Sequence, residues 1–97
     1  MTLPPKLPTA EVANAMGELH PDWDLVSGKL HREIVFSNFA AAFGFMSEIA
    51  IHAEAMNHHP EWSNVYSRVT IDLVTHDAGG ITKFDLNLAR KIDQAIN

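Results

Sequence analysis

A chain of 97 residues with 46% hydrophobic and 20% charged residues has the composition of one compact domain, spanning residues 1–97, rather than a disordered segment. Twelve acidic against seven basic residues give a net charge of -5, without the basic stripe that a nucleic-acid partner requires. The lack of cysteine excludes disulfides, thiolate zinc sites and cysteine nucleophiles.

No run approaches the ~18 apolar residues of a membrane span, and the opening Met1 to Lys6 lacks the apolar core of a signal peptide. The expectation is a cytoplasmic protein with no membrane partner. So short a chain buries a modest share of its surface, which makes assembly as a homodimer or homotetramer an expected source of stability.

Thr9 can cap a first helix over about Ala10 to Glu18, with Glu11 in its first turn and His20-Pro21 closing it. Trp23 to Val26 and Leu30 to Phe36 read as strands joined by a hairpin turn at Ser27-Gly28, although imperfect alternation leaves the inward face of the second open. Asn38 to Asn57 reads as a long helix capped by Ser37 or Asn38. Phe39, Phe43, Met46, Ala50 and Ala53, at steps of four and three, form its predicted core stripe. Gly44 inside it costs ~1 kcal/mol of helix propensity, to be offset by packing or explained by a close approach.

Further on, Val65, Val69, Ile71 and Leu73 alternate with Arg68, Thr70 and Asp72, which predicts one long strand or two shorter ones broken near Tyr66-Ser67. Gly79-Gly80 turns the chain. Thr82 and Asp85 resemble a capping box, and the helix they open turns Leu88, Ile92 and Ala95 inward. This order predicts an α+β domain of two layers, a four-stranded antiparallel sheet with helices packed on one face. The other face, with Tyr66, Thr70 and Val74, is left for solvent or another subunit.

The pair His58-His59, followed by Pro60-Glu61-Trp62, stands between the long helix and the strands. Proline disfavours helical geometry at His59 and lacks an N–H, so the pair is expected at a fixed corner. Imidazoles exchange protons near neutral pH, which suits acid/base chemistry. On spacing alone, a polar helix terminus facing the dipole is the favoured reading. Likewise Glu54 reads as a solvated helix residue, Asp85 as a cap and Trp62 as core. His20, His31 and His52 are assigned to structure or surface. A zinc site from His52, His58, His59 and His76 is disfavoured, because His52 and His58 are six apart and no His-x-x-x-His pair exists.

The stretch Ala53-Glu54-Ala55-Met56-Asn57-His58-His59-Pro60-Glu61-Trp62-Ser63-Asn64-Val65-Tyr66, with Leu73-Val74-Thr75-His76-Asp77 and Ile81-Thr82-Lys83-Phe84-Asp85-Leu86-Asn87-Leu88-Ala89, resembles pterin-4a-carbinolamine dehydratase, and the likeness runs from about residue 9 to the end. The resemblance implies a hydro-lyase that converts 4a-hydroxytetrahydropterin to quinonoid dihydropterin and water without metal or organic cofactor. It links the step to an aromatic amino acid hydroxylase whose pterin is recycled. His58, His59 and His76 match the family's active-site histidines, with His58 and His76 as the acid/base pair and His59 orienting substrate.

Glu54 matches the family's acidic residue. If the helix reaches His58, the two share a face and Glu54 fixes that imidazole's tautomer. Asp85 matches the acidic position of the last helix and Trp62 the aromatic after the corner. With Leu73 and Thr75 on the strand, these two are the expected substrate-binding residues for a flat pterin. Asn57 stands where some relatives have Asp, removing a charge beside the histidines. The resemblance also permits a second reading, a non-catalytic dimerisation or transcriptional-coactivator-type binding protein of the same fold.

Overall fold

The computed structural model describes residues 3–96. The first helix, α1 (Thr9–Met16), is capped by Pro8 rather than by Thr9, and no side chain bonds its first turn. Pro8 stands at the N-cap with φ -60° and extended ψ 148°, so Thr9 is already helical and the start lies one residue before the predicted boundary. Strands β1 (Asp24–Val26) and β2 (Lys29–Val35) form the predicted hairpin, with Val26 opposite Lys29. Ser27 and Gly28 both have positive φ, as a two-residue turn matching the twist of its strands requires.

On β2, Leu30, Arg32 and Ile34 point into the core. Arg32 is what blurred the alternation. It is buried against Asp93 of the last helix, and Asp93 also accepts from Trp23 Nε1 at 2.8 Å and from the His20 backbone N–H at 2.9 Å.

The long helix α2 (Phe39–Met56) starts at Asn38, whose Oδ1 accepts from the Ala41 N–H at 2.8 Å. Its buried face is Ala42, Phe45, Ile49 and Ala53, so the predicted stripe is corrected at all but Ala53 and the half-buried Met46. Phe39 and Phe43 are 54% and 55% exposed, and Ile51 is 71% exposed. The helix is apolar nearly all round, so its sequence supports two hydrophobic frames, and only the packing against the sheet chooses between them. A side chain at Gly44 would meet nothing within 4 Å, so no close approach accounts for it.

At its far end α2 closes on Asn57 in the left-handed conformation, φ 53°. The Asn57 N–H bonds Glu54 O at 3.1 Å and the His58 N–H bonds Ala53 O at 3.0 Å. Asparagine tolerates this geometry better than most residues with a Cβ. The chain therefore leaves the helix one residue before the histidines.

The predicted strand resolves into two, β3 (Glu61–Val65) and β4 (Arg68–Leu73), joined at Tyr66-Ser67. Asn64 Nδ2 ties the turn by donating to the carbonyls of Tyr66 and Arg68, both at 2.9 Å. The sheet order is β1-β2-β4-β3, antiparallel throughout. Val69, Ile71 and Leu73 face the helices. After a 3-10 turn at His76–Ala78, α3 (Lys83–Ile96) returns across the same face and buries Leu88 and Ile92 as predicted. The outer face carries His31, Glu33, Thr70 and Asp72. This is the α+β two-layer domain expected.

Candidate active site

The corner after α2, the end of β4 and the start of α3 converge on an open cleft of about 590 Å³ whose lining includes His58, His59, Val74, Thr75, His76 and Phe84, together with Leu3, Asn57 and Asp77. Such a volume suits a small organic ligand. The three histidines singled out from the sequence thus share one cleft, although 18 positions separate His58 from His76.

Each imidazole offers Nε2 to a different carboxylate. His58 Nε2 lies 2.6 Å from Asp85 Oδ1, His59 Nε2 lies 2.9 Å from Glu54 Oε1, and His76 Nε2 lies 2.6 Å from Glu61 Oε2. A carboxylate only accepts, so in each pair the neutral ring carries its proton on Nε2 and keeps a lone pair on Nδ1. Nδ1 is then the nitrogen left free to exchange a proton.

The pairs differ in their surroundings. The His58 side chain is 11% exposed and Asp85 is wholly buried, whereas His59 and His76 are both largely in solvent. Asp85 is held further by Thr75 Oγ1, which donates to Oδ2 at 2.8 Å, and by the Thr82 N–H at 2.9 Å. The Thr82 bond is the predicted capping-box contact, and Thr82 Oγ1 answers by accepting from the Phe84 N–H at 3.2 Å. One carboxylate therefore caps α3 and orients His58. The Phe84 ring walls His58, with centroids 5.6 Å apart.

Glu54 pairs with His59, not with His58 as expected, because the left-handed Asn57 takes His58 off the helical face. Asp85 meets the cleft only through His58. Leu73 points into the core and Trp62 packs on that core half-buried; neither lines the cleft, whereas Thr75 does. Sequence reasoning passed over Phe84 and Glu61. Phe84 lies one residue before Asp85, at the helix start that faces the corner. Glu61 lies inside the quoted motif, but its use depends on strand pairing that brings Lys29 near. Lys29 Nζ sits 2.6 Å from Glu61 Oε1. That hydrogen bond, with a smaller one from His76, holds the Glu61 carboxyl below the usual carboxylate range, and Glu61 in turn raises Lys29. Among the described residues no three His, Asp or Glu side chains gather as a metal ligand set.

The family model for pterin 4 alpha carbinolamine dehydratase matches residues 5–95. A protein of Solibacter usitatus (strain Ellin6076) that carries the provisional name pterin-4-alpha-carbinolamine dehydratase is 59% identical over 88 residues, covering 91% of this chain and 92% of its own. One from Chelativorans sp. (strain BNC1) with the same provisional name is 48% identical over 90 residues, covering 91% of each. The crystal structure of a "transcriptional coactivator/pterin dehydratase" from Brucella melitensis superposes with a TM-score of 0.90 at 38% identity, covering 95% of this chain and 99% of that one. With a matching model over nearly its whole length, and relatives this similar that it covers almost end to end, the chain belongs to the pterin 4 alpha carbinolamine dehydratase family.

Proposed function

We propose that the protein is a hydro-lyase that dehydrates 4a-hydroxytetrahydropterin to quinonoid dihydropterin and water, recycling the pterin oxidised by an aromatic amino acid hydroxylase. The observation that carries this reading is the cleft with three imidazoles, each backed by its own carboxylate. In the reaction the C4a–O bond breaks, a protonated imidazole delivers its proton to the departing hydroxyl, and a neutral one removes the proton from N5. The electron pair left on N5 forms the C4a–N5 double bond. One donor and one acceptor suffice, and no charge is left on the product.

His58 and His76 are the acid/base pair and His59 orients the substrate. Asp85 and Glu54 hold the rings of His58 and His59, while Thr75 and Phe84 bound the place of the pterin. Action in the cytoplasm is part of the same proposal; no helix among the described residues is long and apolar enough to cross a membrane. The exposed Phe39, Phe43 and Ile51 along α2 support assembly as a homodimer or homotetramer.

The test is the dehydration rate of freshly generated 4a-hydroxytetrahydropterin, corrected for the unaided reaction, with wild type, His58→Ala and His76→Ala. Acceleration by wild type and a loss of ~100-fold or more in either variant are expected. The same apolar face of α2 favours the second reading, a binding protein of the coactivator type. Folded wild-type protein that gives no acceleration but retains a stable partner would support that reading instead.

A further inference from the structure

The His76 side chain, 66% exposed on a 3-10 turn, has little packing to hold its ring. A ring so placed samples several rotamers unless a polar partner restrains it. That partner is Glu61, at the start of the edge strand β3, where Pro60 fixes the chain's entry. Glu61 is itself clamped. Its second oxygen takes Lys29 from β2, which reaches across β4 to do so. The row Glu61, Asp72 and His31 runs through the same three strands in register. Asp72 is occupied by His31 Nδ1 at 2.8 Å and adds only a smaller attraction on Lys29. The groups facing Glu61 are therefore Lys29 and His76, with the Asp72–His31 pair beside them.

We propose that Glu61, held by Lys29, is a positioning residue that fixes the His76 ring with Nε2–H directed away from the substrate and Nδ1 free for the reaction. This rests on the reading of His76 as one of the acid/base pair. Exposed ion pairs contribute little to stability, so the contact is explained by orientation rather than by folding. A hairpin at Ser27-Gly28 sets the register of Lys29, and through Glu61 that register reaches a histidine 47 positions away.

The test combines kinetics with NMR of the His76 ring, read through its tautomer-sensitive nitrogen shifts and its carbon relaxation, in wild type, Glu61→Ala, Lys29→Met and Lys29→Arg. Glu61→Ala is expected to loosen the ring, let both tautomers appear, and lower kcat about tenfold with KM changed far less, a part of the ~100-fold or more that a general acid or base contributes, because the histidine itself remains. Lys29→Met does the same more weakly, and Lys29→Arg restores both readouts. A His76 ring as ordered in Glu61→Ala as in wild type overturns the proposal, and so does a loosened ring with kcat within twofold of wild type. If wild type itself gives no acceleration, the dehydratase reading fails, and the ring measurement alone still decides whether Glu61 holds His76.

Discussion

Replacing Asp85 by asparagine preserves volume and inverts one hydrogen bond. Oδ2 accepts from Thr75 Oγ1 and from the Thr82 N–H, so the amide must keep its oxygen on that side and turn its NH2 toward His58. Two donors then face each other at the 2.6 Å contact. The neutral imidazole escapes by moving its proton to Nδ1, which puts a hydrogen where the cleft needs a lone pair. Catalysis by His58 is expected to fall by about 100-fold to 10,000-fold, the range set by general acid/base contributions and by wrong-tautomer variants of histidine–aspartate pairs. Stability falls by about 1.5–3 kcal/mol, the value of a hydrogen bond to a charged group. Asp85→Ala is worse for the fold, because it strands the Thr82 N–H at about 1–3 kcal/mol, a large part of a small domain's stability, and leaves the Thr75 hydroxyl with Thr82 Oγ1 at 2.8 Å as its partner. Background-corrected dehydration rates and thermal melts of Asp85→Asn check this, with ring nitrogen shifts reporting the His58 tautomer. Full activity with the proton still on Nε2 would refute the reasoning.

Asn57→Ala forces a Cβ without a compensating polar group into φ 53°, at a cost of about 1–2 kcal/mol, while Asn57→Gly is expected to be neutral or better; melts of both variants test this. Glu61 has its carboxyl lowered by Lys29 and then His76, so its contribution is complete above the ordinary carboxylate value of ~4.3 and is lost as pH falls through the lower folded value. Lys29 is raised, so its contribution is complete below ~10.4 and is lost as pH rises through the higher folded value. In Lys29→Met the Glu61 side-chain titration, followed by NMR, is expected to move up toward the ordinary range, and an unmoved midpoint would count against the clamp. Asp93→Ala leaves the buried Arg32 without its counter-charge and is expected to cost about 3–5 kcal/mol by denaturant melts, far more than removal of any exposed pair.

Elements with a local cause were legible in the sequence. Ser27-Gly28 announces a two-residue turn, Asn38 a cap, and Thr82 with Asp85 a capping box, and each forms as its chemistry demands. What failed needed non-local information. The buried face of α2 was misassigned because phenylalanines and isoleucine surround the helix on several sides, leaving the sheet to select among them. The sequence leaves β3 as either the first part of one long strand or a strand of its own, since Glu61-Trp62-Ser63-Asn64 lacks an apolar period. At the site, the three histidines were recognised but their carboxylates were not sorted. Glu54 follows from helical spacing only if the helix continues to His58, and a single left-handed residue stops it. Glu61 and Lys29 meet through strand register, which no local pattern encodes.

The uneven burial of the three imidazoles bears on how the site resets. The proposed dehydration would leave one imidazole a proton richer and another a proton poorer, and both would have to recover before the next substrate. His76 and His59 stand in water and trade protons with buffer directly. His58, shielded by Phe84 and anchored to a buried aspartate, has access to solvent mainly through the cleft that the ligand fills. On the proposed mechanism, recovery of the site would be tied to departure of the product, with one proton account settled at the surface and the other closed until the cleft empties.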